Sequence, residues 1–146
     1  GPYDAPRTRL PGAGGATEIA AHARQTFVML KASPRSLVAR LDFRTSAGFL
    51  EGHGARARAG MTGAGPQAVI TDFGILAPEP GSDELVLSAL FPSVTADEAR
   101  AAVGWPLRTA PQVATLEPPV PHELDTLRAL NARTLEAHRR PVPVPA

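Results

Sequence analysis

"RLPGAGGATEIAAHARQTFVML" (residues 9–30) decides the reading of the chain, because it runs from a glycine loop into a short alanine-rich helix (17–23) and then a compact apolar run of strand length (25–30). Loop, helix and strand in that order are an α/β rhythm. Gly12, Gly14 and Gly15 admit backbone conformations closed to other residues and leave unshielded amides facing outward at a helix N-terminus. Such amides suit an anion, either a phosphate or the oxyanion of a tetrahedral intermediate. A tight turn before a helix is the plainer alternative. Two nucleotide motifs are excluded: counted from Gly12, the sixth position of a dinucleotide fingerprint is Thr17 instead of glycine, and the single lysine, Lys31, lies outside any P-loop spacing.

Working outward, "SLVARLDF" (36–43) alternates Leu37, Ala39, Leu41 and Phe43 with Val38, Arg40 and Asp42, which predicts a strand with one buried face. Residues 44–67 are rich in glycine and poor in apolar side chains, and predict a long surface loop. "AVITDFGIL" (68–76) and "ELVLSALF" (84–91) read as two strands joined by "APEPGSD" in a hairpin or antiparallel return. In "VTADEARAAVGW", Thr95 suits an N-cap, Glu98 can close a capping box, Val94 can pack on Ala99 as a staple, and Gly104 suits a left-handed stop. These signals predict a helix over 96–103. Beyond a connector with prolines at 106, 111, 118, 119 and 121, Leu124, Leu127, Leu130 and Leu135 fall mainly on one side of a terminal helix, which is expected to dock by that side. The tail "PVPVPA" is expected to stay extended. The organisation expected is one domain over 1–116, a connector and helix over 117–140, and a tail over 141–146.

With 146 residues, 43% of them apolar, the chain has material for one real core. Fifteen basic against fourteen acidic residues leave a formal charge of +1, so no overall field draws it to nucleic acid or an anionic membrane. The absence of cysteine excludes a disulfide framework, thiolate zinc ligands and a cysteine nucleophile. The longest apolar run lies within 85–91, far short of the roughly 20 residues of a bilayer span. No basic head with an apolar stretch marks a secretion signal, and a cytoplasmic location is expected. All but one of the basic residues are arginine, which reads as coding bias. The opening Gly1-Pro2 suggests an excerpt, a processed product or a tag remnant.

Among candidate side chains, His22, His53, His122 and His138 show no metal spacing, and no metal is expected. Ser33, Ser36 and Ser46 lie in no nucleophile elbow. Glu18 lies beside the glycine loop and Glu51 in the glycine-rich segment. A carboxylate held in a dry, electropositive site can attack an acyl group, whereas an acid at a helix start is accounted for by the helix dipole alone. Arg56 and Arg58 are candidates to meet cofactor phosphates, against the reading of a solvated loop.

Taken together, "RLPGAGGATEIA", "VARLDFRTS", "GPQAVITDFGIL" and "FPSVTADEARAAVGWPL" resemble the C-terminal portion of the beta subunit of class I CoA-transferases, in particular the glutaconate CoA-transferase beta-subunit group. The motifs stand in family order across most of residues 1–110. The resemblance implies an open-sheet α/β domain of CoA-transferase type, lacking its N-terminal part, with the active site near the junction with an alpha subunit. It implies a reaction that moves CoA between carboxylic acids, with acyl-CoA and free acid as substrates and no tightly bound cofactor beyond coenzyme A as a substrate. A glutamate of the beta subunit would form an acyl-glutamyl anhydride and then a glutamyl-CoA thioester. Amides of the glycine loop would bind the oxyanion, a role that maps to Gly15, with Gly12, Gly14 and Ala16 beside it. In relatives that glutamate precedes the glycine loop. Here only "GPYDAPRT" precedes "RLPGAGG", so the nucleophile is expected to lie outside the sequence and the chain to be inactive alone. Two alternatives are a related hydrolase of ring-opened CoA thioesters in steroid-type catabolism, and a non-catalytic module that docks a partner or a phosphorylated ligand.

Overall fold

Five strands form a single mixed sheet in the computed structural model, which describes residues 4–8 and 12–139. Their spatial order is their chain order. β1 (Thr26–Met29) runs parallel to β2 (Pro66–Ile70); β2, β3 (Gly74–Pro78) and β4 (Leu85–Leu90) form an antiparallel meander; and β5 (Thr109–Thr115) runs parallel to β4. The two parallel steps need crossovers. The first is the glycine-rich segment with α2 (Ala55–Arg58), and the second carries α3 (Ala96–Ala101). α1 (Ala16–His22) precedes β1, and α4 (Pro121–Arg139) ends the described chain.

The core lies where α3 covers the sheet: Val69, Leu76 and Leu87 meet Ala99, Val103 and Leu107, with Leu37 and Phe73 closing the cluster. Leu76 and Leu87 are fully buried. α3 starts as its sequence predicts. The Thr95 N–H donates to Glu98 Oε2 at 2.7 Å, and the Glu98 N–H donates to Thr95 Oγ1 at 3.3 Å. The Thr95 amide first, and the Thr95 hydroxyl donating to Glu98 Oε2 at 2.8 Å second, hold the Glu98 carboxyl below the usual glutamate range.

Four expectations are corrected. Residues 36–43 form no strand: the Leu37 N–H donates to Ser33 O at 2.8 Å and Ser36 Oγ to Lys31 O at 2.9 Å, so the backbone turns on itself after Pro34 instead of joining the sheet. Leu37 is buried, but Leu41 and Phe43 are 61% and 80% exposed. Residues 68–76 are two strands, because Thr71 closes a turn between them: Oγ1 accepts from the N–H groups of Phe73 (3.3 Å) and Gly74 (3.1 Å) and donates to Gly74 O (2.8 Å). The proline connector contains β5, which tolerates Pro111 as an edge strand. Gly104 is not left-handed. It is glycine because its backbone sits against residues 37–39: its N–H donates to Leu37 O at 2.7 Å, and a Cβ there would lie 2.7 Å from Ala39 N.

Two units divide between Leu116 and Glu117. In the second, α4 opens on Pro121, which needs no amide partner in the first turn, and runs 19 residues. None of its residues is buried, and Leu127, Leu130 and Leu135 are exposed. The expectation for the tail at 141–146 falls outside the described residues.

Candidate active site

The glycine loop becomes a turn that opens α1. Gly14 takes φ +56°, which an L side chain adopts only with strain, and Gly15 is the N-cap at φ −71°. Among the described residues, a Cβ at Gly12, Gly14 or Gly15 would meet nothing within 4 Å. The Ala16 N–H closes the turn onto Ala13 O at 3.2 Å. Among the described residues, nothing accepts from the N–H groups of Gly14 or Gly15. These two amides sit at the positive end of the helix, where a developing negative oxygen is favoured.

Beside the turn, α1, β1 and residues 46–48 enclose a largely apolar groove of about 440 Å³, lined by Ala16, Ile19, Ala20, Val28 and Pro66 with Thr26 and Ser46 at its polar points. The groove adjoins the first residue of α1.

The side chains proposed for chemistry are scattered. Glu18 is 81% exposed and lies 3.7 Å from His22 Nε2, one helical turn on; nothing desolvates it. Glu51 is equally open and pairs with Arg44 at 3.6 Å. His22 Nδ1 shares a hydrogen bond with Thr62 Oγ1 (3.0 Å), and His53 Nδ1 reaches Gly81 O (2.9 Å). His122 and His138 are exposed on α4. Ser33 and Ser36 pair with each other at 3.0 Å. No three His, Asp or Glu groups converge as a metal site among the described residues.

Arg56 meets neither of its two readings, the candidate role at cofactor phosphates or the solvated loop. It is only 6% exposed, and its guanidinium is spent on backbone carbonyls: Nη1 donates to Gly48 O (2.7 Å), Nη2 to Ala20 O (2.9 Å), Ala21 O (3.1 Å) and Gly63 O (3.0 Å), and Nε to Gly63 O (3.1 Å). With Ala55, Gly52, Gly63 and Gly65 also buried, the expected surface loop is a built frame around this cation. Of the glycines around Arg56, Gly65 is the one its side chain requires, because a Cβ there would lie 3.1 Å from Arg56 Cδ and Nε. Arg58 stays at the surface, donating to His53 O at 2.7 Å.

The open mixed sheet is a fold that this chain shares with a solved CoA-transferase. The family model described as coenzyme A transferase matches residues 1–102, and the chain belongs to that family. It is 46% identical over 138 residues to the beta subunit of 3-oxoadipate CoA-transferase from Pseudomonas knackmussii, covering 94% of this chain and 53% of that protein. It is 34% identical to the beta subunit of glutaconate CoA-transferase from Acidaminococcus fermentans, covering 88% and 48%. The crystal structure of glutaconate coenzyme A-transferase from Acidaminococcus fermentans superposes with a TM-score of 0.76 at 33% identity, over 88% of this chain and 49% of that one. IpdAB of Rhodococcus jostii shares the fold alone, with a TM-score of 0.71 at 20% identity over 97% and 57%. The chain spans about half the length of the named relatives it matches. No helix among the described residues is long and apolar enough to cross a membrane.

Proposed function

We propose that these residues form the oxyanion-binding part of a beta-type CoA-transferase subunit, which moves CoA between carboxylic acids and works with an alpha-type partner. The observation that carries the reading is the exposed turn at Gly14 and Gly15, with two unengaged amides at the head of α1. A glutamate carboxylate attacks the thioester carbon, and the carbonyl oxygen becomes an anion that the Gly15 amide stabilises, with Gly14 beside it. Collapse expels CoA as a thiolate and leaves an acyl-glutamyl anhydride. The thiolate then attacks the glutamyl carbonyl and releases the first acid, and the acceptor carboxylate takes CoA by the reverse sequence. Neither Glu18 nor Glu51 has the desolvated setting this nucleophile needs, which supports an attacking carboxylate supplied from outside residues 1–146. Coenzyme A is a substrate here, with no further cofactor. Both named relatives act on dicarboxylates by name, which favours a dicarboxylic acyl group and favours transfer over hydrolysis.

The test is Gly15→Pro against Gly15→Ala in a complete beta-type subunit assembled with its partner. Proline fits φ −71° and deletes the amide, and Gly14 lacks the Cβ that would crowd a following proline; alanine keeps the amide and its Cβ meets nothing within 4 Å. Gly15→Pro is expected to lose about 10²–10³-fold in kcat, the usual effect of deleting one oxyanion donor, and Gly15→Ala little. Equal activity in both variants would overturn the role of the turn. Thioester exchange by the 146-residue chain alone would overturn the outside nucleophile.

A further inference from the structure

We propose that Arg56 is a positioning residue for the glycine turn, acting through α1; the proposal rests on the oxyanion role given to that turn. α1 has seven residues, none of them buried. A helix this short is not stable by itself, and without a buried face packing does not hold it. Polar tethers do. Thr17 Oγ1 donates to Thr45 O at 3.0 Å in the first turn, and His22 Nδ1 meets Thr62 Oγ1 at 3.0 Å in the last. Both are exposed. The buried tether is Arg56, whose Nη2 takes the carbonyls of Ala20 and Ala21, the groups a helix end leaves without partners.

The same guanidinium holds Gly48 O and Gly63 O, so one planar cation ties the C-terminal end of α1 to two separate points of the frame. Gly63 adds its own N–H to Ala21 O at 3.1 Å, and a Cβ there would lie 2.2 Å from Ala23 O. No carboxylate is among the partners of Arg56, which sets it apart from an ion pair. Its charge faces the negative end of the helix dipole instead. Because α1 spans only two turns, a tilt at Ala20–Ala21 moves Gly14 and Gly15 with it. Lysine cannot replace this residue: an ammonium is a compact point charge and does not span three carbonyl sets with fork geometry.

The experiment compares Arg56→Lys and Arg56→Gln with the wild type in two measurements. In the ¹⁵N-labelled 146-residue chain, backbone order parameters of residues 14–22 are expected to fall from about 0.85 toward about 0.6 in both variants, while those of β2, β3 and β4 stay unchanged. In the complete assembled enzyme, kcat is expected to fall about 10²-fold with KM for the CoA thioester unchanged, and Arg56→Lys to give no rescue. The proposal is overturned by wild-type order in α1, by loss of order in the sheet in parallel with α1 in both variants, by full activity in Arg56→Lys, or by a change confined to KM. If the wild-type assembly exchanges no thioester, the oxyanion reading fails together with the catalytic consequence of Arg56. Its hold on α1 is then decided by the order parameters alone.

Discussion

Glu98 and Arg56 show at single-residue scale what a sequence makes visible. Both spend their charge on backbone groups, but Glu98 does so within one turn of Thr95, whereas the acceptors of Arg56 lie as far as 36 positions away at Ala20. A spacing of three residues is a local pattern that can be read directly; a cation shared among three distant segments is not. The Glu98 box carries a pH prediction. Its carboxyl is held below the ordinary glutamate range in the folded state, so its stabilisation is fully present above that range and is lost as pH falls through the depressed value. Thermal melts of wild type and Glu98→Gln should differ at neutral pH, with the wild type higher, and converge in acid. A constant gap across that window would mean that the carboxylate charge plays no part in the cap.

Elements were legible where burial has a simple period and illegible where polar turns interrupt it. β1, β4 and α3 follow their patterns; β4 buries Val86, Leu87 and Ala89, and Leu87 joins the cluster that holds Ala99 of α3. "AVITDFGIL" hides a reversal, because apolar residues stand on both sides of Thr71 and the turn depends on one hydroxyl. "SLVARLDF" fails the other way: its alternation is regular, but the Ser33–Ser36 turn denies it a neighbouring strand. The Thr71 hydroxyl should therefore be expensive to remove. Thr71→Val keeps shape while leaving the buried amides of Phe73 and Gly74 without that acceptor, which costs about 1–3 kcal/mol. Urea unfolding should show a lower midpoint at unchanged slope. An unchanged midpoint would place the stability of the β2–β3 turn in its backbone bonds alone.

For the molecule as a whole, the sheet ends differently on its two sides. β5 closes one edge with Pro111 in place, a residue that blocks strand addition, whereas β1 presents the opposite edge with apolar side chains on both faces. Phe27 and Met29 point one way at 63% and 79% exposure, and Val28 points the other. Strands in parallel pairing are ordinarily covered on both faces, so β1 has the composition of an interior strand at an exposed position. The chain taken by itself should associate through this edge. Sedimentation velocity is expected to show mass rising with concentration for the wild type. In Phe27→Lys combined with Met29→Lys that rise should be suppressed, because charge on an edge strand opposes pairing and neither residue belongs to the buried core. Exposed substitutions of this kind should leave the melting of the sheet unit nearly unchanged. A wild type that stays monomeric across the range, or a double variant that associates equally, would locate the adhesive surface away from β1 and leave the Leu41 and Phe43 segment as the next place to introduce charge.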